Sequence, residues 1–150
     1  TITKNQKLRT TAVLADNRVM QVIGPGDHGS TYGAYPLGCA AALASIAILK
    51  EENLSQRSRE LGGYFMNRLK AIKSKHIKEV RGRGLFIGVE LTPDVNNHDF
   101  CERLLKEDLL CLTARDNVIR FTPPLVIIRT DIDWAIEKIE KVFNNLEGRI

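Results

Sequence analysis

The stretch from Asp27 to Glu51 constrains this chain more than any other part of it. Two adjacent hydroxyl residues, Ser30 and Thr31, lie between Gly29 and Gly33, and Pro36 opens an alanine-rich run behind them. Proline suits the first turn of a helix, where its missing N–H has no intrahelical partner to lose. Ala40, Ala41, Ala42, Ala44 and Ala47, with Leu43, Ile46 and Leu49, predict a helix from Pro36 to about Glu51 that is apolar on most sides. Such a helix is expected to lie buried between neighbours. The loop before it suits an anion. Its glycines allow close backbone approach, each hydroxyl can donate a hydrogen bond, and a helix start adds free N–H groups and the positive end of the dipole. The same residues also make a plain turn, and the loop chemistry alone leaves both readings open.

Around this loop the pattern alternates. Thr11–Leu14 predicts a short buried strand, Asp16-Asn17 a turn, and Val19–Ile23 a brief apolar element before Gly24-Pro25-Gly26. Asn53 is placed to cap a second helix, with Leu54, Leu61, Phe65, Leu69 and Ile72 at helical spacing. Gly62-Gly63 weakens its middle by about 1 kcal/mol per glycine and predicts a kink or a close approach. Strands are expected at about Ile77–Arg81, Leu85–Leu91, Leu109–Leu112 and Val118–Phe121. A helix near Asp99–Lys106 turns Phe100, Leu104 and Leu105 inward. Thr130-Asp131-Ile132-Asp133 resembles a capping box for a last helix striped by Ile132, Ile136, Ile139, Val142, Phe143 and Leu146. The chain divides into residues 1–53 and 54–150, the second an α+β domain.

Composition narrows the function classes. The chain has 150 residues, 43% hydrophobic and 27% charged, which is ordinary for a globular protein with a real core. The net charge of +4 comes from basic residues interleaved with acids, as in Arg57-Ser58-Arg59-Glu60, so solvated helix faces are expected and no nucleic-acid partner. The basic stretch from Lys70 to Lys78 has no aromatic residues for stacking on bases. No apolar run reaches a membrane span, so no membrane partner is expected. Cys39, Cys101 and Cys111 are scattered, which suits reduced thiols in the cytoplasm, and His28, His76 and His98 lack ligand spacing, so no metal is expected. Cys111 and Trp134 read as packing residues, and His28 as a turn histidine.

Arg120 stands alone among apolar neighbours, just before Pro123-Pro124. Its guanidinium fork suits a carboxylate held through two parallel hydrogen bonds, and an arginine in an apolar strand needs a partner. A structural ion pair and a bound carboxylate fit the sequence equally well. Arg81 and Arg83, flanking Gly82, read as structural or as part of a domain junction.

Three segments resemble one family in order and spacing. These are His28-Gly29-Ser30-Thr31-Tyr32-Gly33 with Pro36-Leu37, Val80-Arg81-Gly82-Arg83-Gly84-Leu85 through Leu91, and Val118-Ile119-Arg120-Phe121-Thr122-Pro123-Pro124-Leu125. Together they resemble the class-III, fold-type-I aminotransferases, which use pyridoxal phosphate. The likeness covers nearly everything after about Thr11; Ala34-Tyr35 departs from the family's Gly-Asn. It implies an α/β fold in which residues 1–53 end the large cofactor-binding domain of a fold-type-I transferase and residues 54–150 form its α+β small domain. It also implies a homodimer when complete, with Ser30 and Thr31 gripping the cofactor phosphate across the dimer. Arg120 would bind the α-carboxylate of the amino-acid or 2-oxo-acid substrate. Tyr32, Leu109-Leu110-Cys111 and Ile119-Arg120-Phe121 are similar to the ornithine aminotransferases, which serve proline biosynthesis; the acetylornithine enzymes are the alternative.

The family's cofactor-holding lysine would fall at about Thr1, and Lys4 and Lys7 lack its glycine-rich setting. The residues that the family places further upstream, around the pyridine ring, have no match here. The resemblance therefore implies the C-terminal part of an aminotransferase, with no catalytic residue of its own and no activity alone. A non-catalytic binding or dimerisation module derived from such an enzyme is a further alternative.

Overall fold

The computed structural model describes residues 12–31 and 33–147, so Lys4, Lys7 and Tyr32 lie outside the described residues. The chain divides into two compact units, one ending at Glu52 and one beginning at Asn53. In the first, Asp16 accepts the Arg18 backbone N–H at 2.9 Å and caps a short helix α1, Asn17–Met20. The expected strand is not there: Ala12–Leu14 carries no ladder, and Val13 and Leu14 are exposed. A strand needs a partner for its N–H and C=O groups, and none of the described residues supplies one. Thr11 lies outside the described residues. The apolar residues of Val19–Ile23 likewise lie on one helical turn and the bend after it, all exposed.

Helix α2 runs Pro36–Glu51, as expected, but the expected burial does not follow. Only Gly38 is buried, against the Tyr35 ring, while Leu37, Leu43, Ile46, Ile48 and Leu49 are exposed. Among the described residues of its own unit, no second layer covers them.

The second unit holds α3 (Leu54–Ala71), β1 (Ile77–Arg83), β2 (Phe86–Leu91), α4 (Asn97–Lys106), β3 (Leu112–Ala114), β4 (Val118–Phe121) and α5 (Arg129–Glu147). Its four strands form one antiparallel sheet in the order β1-β2-β4-β3. Alternation sets its two faces. Ile87, Val89 and Leu91 of β2 and Ile119 and Phe121 of β4 are buried beneath the helices, and Phe86 points the other way. Phe65 of α3 meets Phe121 with ring centroids 5.8 Å apart, and Phe100 of α4 meets Phe143 of α5 at 4.6 Å. Ile132, Ile136, Ile139, Val142 and Phe143 of α5 are all buried, as their spacing predicts. Full burial of a Leu, Ile or Phe is worth about 1.5–3 kcal/mol, against ~0–1 for an exposed ion pair, so this layer holds the unit together.

Local details depart from expectation for identifiable reasons. Asn53 adopts a left-handed φ of 49° and offers no side-chain cap; its carbonyl accepts the Gln56 and Arg57 N–H groups instead. Leu109–Leu112 is not a strand along its length, because Leu109 is spent on closing α4. Its N–H reaches Leu104 O at 2.9 Å, and the Asp108 N–H reaches Leu105 O at 3.1 Å with Asp108 at φ 65°. That is a Schellman ending, so pairing starts only at Leu112. Leu105 falls on the outer side of α4 and is exposed. Helix α5 begins one residue before Thr130, with the Asp131 carboxylate accepting the Ile128 N–H at 3.4 Å. Gly62-Gly63 marks a close approach: a Cβ at Gly62 would collide with the Gly84 backbone in the β1–β2 turn.

Candidate functional site

Ser30 and Thr31 sit on an exposed turn closed by the Gly33 N–H donating to Ser30 O at 3.2 Å. Among the described residues, neither hydroxyl has a hydrogen-bond partner. Five residues on, α2 starts at Pro36, and Tyr35 at its N-cap provides no side-chain cap. Two hydroxyls before a helix start without a side-chain cap make a set of donors with no acceptor among the described residues. Phosphate is the group such a set can take. His28, in the same loop, is exposed.

Arg120 belongs to the second unit, so the two parts of the candidate site lie on separate units. β4 is a central strand, and within it Ile119 and Phe121 turn toward the helices, leaving Arg120 on the opposite, open face. Gly88 of β2 and Leu112 of β3 are its register partners, and Arg81 of β1 pairs with Gly88 in turn. Arg81, Gly88, Arg120 and Leu112 thus form one cross-strand row, with a glycine gap between the two arginines.

The two arginines differ in what they hold. Arg81 pairs with Glu79 and Glu90, each at 2.5 Å, and Lys78 also pairs with Glu90 at 2.5 Å. Hydrogen bonds from Lys78, then from Arg81, hold the Glu90 carboxyl below the usual glutamate range. Arg81 is therefore structural. Arg120 has no carboxylate partner among the described residues, and its Nε is buried without a hydrogen bond. Its guanidinium lies 5.8 Å from the centroid of the Phe86 ring, a cation–π contact that restricts it without neutralising it. A buried guanidinium N–H with no acceptor is costly, and a bound carboxylate would satisfy it.

Beside Arg120 a cavity of about 450 Å³ opens between the Leu109–Leu112 segment, Pro123-Pro124 and α5. Trp134, expected as a packing residue, lines it and is partly exposed, with the Lys138 ammonium 5.7 Å from its ring centroid. The loop after β4 is pinned by Arg57 of α3, which donates to Val126 O at 3.3 Å and Ile127 O at 2.9 Å. Arg57 therefore contributes more than a solvated face. Nothing in the sequence marks it, because its partners lie 69 and 70 residues away. Phe86 was equally unmarked, although an aromatic two residues before Gly88 on an alternating strand shares its face. Among the described residues no cluster of His, Cys, Asp or Glu could hold a metal, and no helix is long and apolar enough to cross a membrane.

The aminotransferase class-III family model matches residues 5–143. The chain belongs to this family. Among curated proteins it is 54% identical to the ornithine aminotransferase of Bacillus subtilis over 133 residues, covering 89% of this chain and 33% of that protein. The Brevibacillus brevis ornithine aminotransferase is 51% identical over 136 residues, covering 91% and 34%. The chain thus spans about a third of the length of these curated relatives. Among solved structures, the Toxoplasma gondii ornithine aminotransferase superposes with a TM-score of 0.79 at 38% identity, covering 88% of this chain and 32% of that one. A second structure of that enzyme, described with partial occupancy of pyridoxal phosphate at its active site, gives 0.76 at 39%, covering 86% and 32%. The fold is therefore part of the α/β, fold-type-I architecture of class-III aminotransferases, a family dependent on pyridoxal phosphate.

Proposed function

We propose that this chain is the C-terminal part of an ornithine aminotransferase, which moves the δ-amino group of ornithine to 2-oxoglutarate and gives glutamate semialdehyde and glutamate. The observation that carries the reading is Arg120, a guanidinium on an open sheet face with a buried, unsatisfied Nε. The identities of 51–54% to ornithine aminotransferases over most of the chain support ornithine over acetylornithine as the amino donor.

Residues up to Asn53 would then end the large domain, and residues 54–150 would be the small domain. Ser30 and Thr31 would hold the phosphate of pyridoxal phosphate across a cytoplasmic homodimer, and their exposed hydroxyls, without a hydrogen-bond partner among the described residues, fit that group. When bound, the cofactor supplies the electron sink for amino transfer. Arg120 orients the substrate α-carboxylate through its guanidinium fork, with Phe86 restricting that fork from one side. Each charge-assisted hydrogen bond of this kind is worth about 1.5–3 kcal/mol. The 150 residues supply no match to the cofactor-holding lysine, so no turnover is expected from them alone.

A chimera tests this. Residues 5–143 replace the matching segment of the Bacillus subtilis enzyme, and ornithine-dependent transamination is measured. The chimera should turn over, and Arg120→Ala should raise KM for 2-oxoglutarate about tenfold or more, the equivalent of one lost contact of ~1.4 kcal/mol. Ser30→Ala with Thr31→Ala should speed loss of cofactor on dialysis. An Arg120→Ala chimera with unchanged KM for both substrates would refute the assignment. A dimer that holds cofactor without turning over would favour a non-catalytic module.

A further inference from the structure

Cys101 and Cys111 look unrelated in sequence, yet their sulfurs lie 3.2 Å apart. Cys101 is on the inner side of α4 and half-buried; Cys111 is buried in the segment entering β3. The Schellman ending of α4 folds the chain back at Asp108 and brings the two together. We propose that these two thiols form a reversible dithiol–disulfide site, oxidised by hydroperoxides and re-reduced by small thiols. Its product ties α4 to the strand that pairs with Arg120.

Geometry supports the bond. A disulfide requires sulfurs ~2.05 Å apart, so closing from the observed separation takes about 1 Å, within the reach of side-chain torsions. Electrostatics divides the labour. The Cys111 S–H donates to Cys101, which holds the Cys101 thiol below its ordinary value, whereas that same contact and then burial push Cys111 up. Cys101, also the more exposed, is thus the attacking thiolate, and Cys111 the resolving thiol. Cys39 is exposed on α2, in the other unit, and has no part in the pair.

The chemistry balances. The Cys101 thiolate attacks a peroxide oxygen, the O–O bond breaks, hydroxide leaves, and Cys101 becomes a sulfenic acid. The Cys111 sulfur then attacks the Cys101 sulfur, forming the S–S bond, and the sulfenic hydroxyl departs as water with the Cys111 proton. Two thiols lose two electrons, and the leaving oxide takes up the proton that Cys101 gave up on ionising, so hydrogen peroxide ends as two waters and an organic hydroperoxide as an alcohol and one water. Two equivalents of a small thiol reverse it: the first opens the bond to a mixed disulfide, the second releases the remaining cysteine, and the small thiol leaves as its own disulfide.

Disulfide mapping of the 150-residue chain tests this without any substitution in the pair. The fully reduced chain is exposed to stoichiometric hydrogen peroxide, alkylated, and digested with trypsin. Arg103 and Lys106 lie between the cysteines, so cleavage leaves them on separate peptides joined only by the disulfide. The expected product is a Cys101–Cys111 cross-link that has lost two hydrogens and is reversed by dithiothreitol. It should form at least about tenfold faster in the folded chain than in urea, where proximity is lost. Cys39→Ser should leave it unchanged. Two results would overturn the proposal: cross-links to Cys39 as frequent as the native pair, or Cys101 carried to sulfinic acid while Cys111 stays a free thiol.

Discussion

Adjacent glycines in α3 should respond to the same substitution with opposite signs. Gly62 and Gly63 share one helix interior, so Gly→Ala at either gains about 1 kcal/mol of helix propensity. Their surroundings differ. A Cβ at Gly63 meets nothing within 4 Å, while one at Gly62 would collide with the O, C and Cα atoms of Gly84. Those atoms are backbone in a tight turn, with Gly84 at φ 55°, and cannot swing aside as a side-chain tip would. Overpacking costs about 1–3 kcal/mol, and a backbone obstacle places this site at the upper end. Gly63→Ala should therefore stabilise by ~1 kcal/mol and Gly62→Ala should destabilise by about 2 kcal/mol net. In a unit of about 100 residues, 1 kcal/mol moves Tm by roughly 4–8 °C, so the two variants should melt on opposite sides of the wild type. Circular dichroism during urea and thermal unfolding gives both numbers. If Gly62→Ala rises together with Gly63→Ala, the contact between α3 and the β1–β2 turn is not close, and the packing argument fails.

Two further outcomes follow from polar contacts. Asn117, at φ 57° in the β3–β4 turn, donates to Thr92 O at 3.0 Å and Val95 O at 2.6 Å and accepts the Asn97 N–H at 3.0 Å. Asn117→Ala and Asn117→Gly should both lower the urea midpoint, with alanine worse by about 1 kcal/mol because only glycine tolerates the left-handed backbone freely; equal losses would remove the backbone part of the account. Glu90 is held below its ordinary value of 4.5 by Lys78 and Arg81. Its folded pKa is depressed, so its contribution to stability is complete above 4.5 and is lost as pH falls through the lower folded value. Glu90→Gln should flatten the acid limb of a urea-midpoint-against-pH curve, and an unchanged limb would assign that slope to other carboxylates.

Periodicity made α3 and α5 legible, because each repeats its apolar residues over enough positions to fix a face; α2 was legible in extent but not in burial, since its apolar residues fall on most sides. It failed where a short element depends on one contact. Helix α1 exists through the Asp16 cap, and the apolar run at Leu109 serves a helix ending. The wording of the motifs singled out Ser30, Thr31 and Arg120 as candidates. Their environment was not legible: the Phe86 ring beside Arg120, the Arg57 clamp and the touching sulfurs of Cys101 and Cys111 join residues whose proximity depends on the folded chain. Charge pattern also hid the contrast between Arg81 and Arg120: both are register partners of Gly88, yet among the described residues Glu90 pairs with Arg81 and not with Arg120.

The central position of β4 has a consequence for how Arg120 breathes. A strand paired on both sides opens only with the body of its sheet, so the amides around Arg120 should belong to the slowest-exchanging set in the chain. The exposed turn bearing Ser30 and Thr31, with one backbone bond among its described residues, should exchange near the solvent rate. One of the two proposed anion-binding groups would thus be mounted on the last part of its unit to loosen, and the other on a turn expected to open readily. A carboxylate captured at Arg120 would report on global unfolding, while a phosphate captured at the loop would have to order its own receptor as it bound.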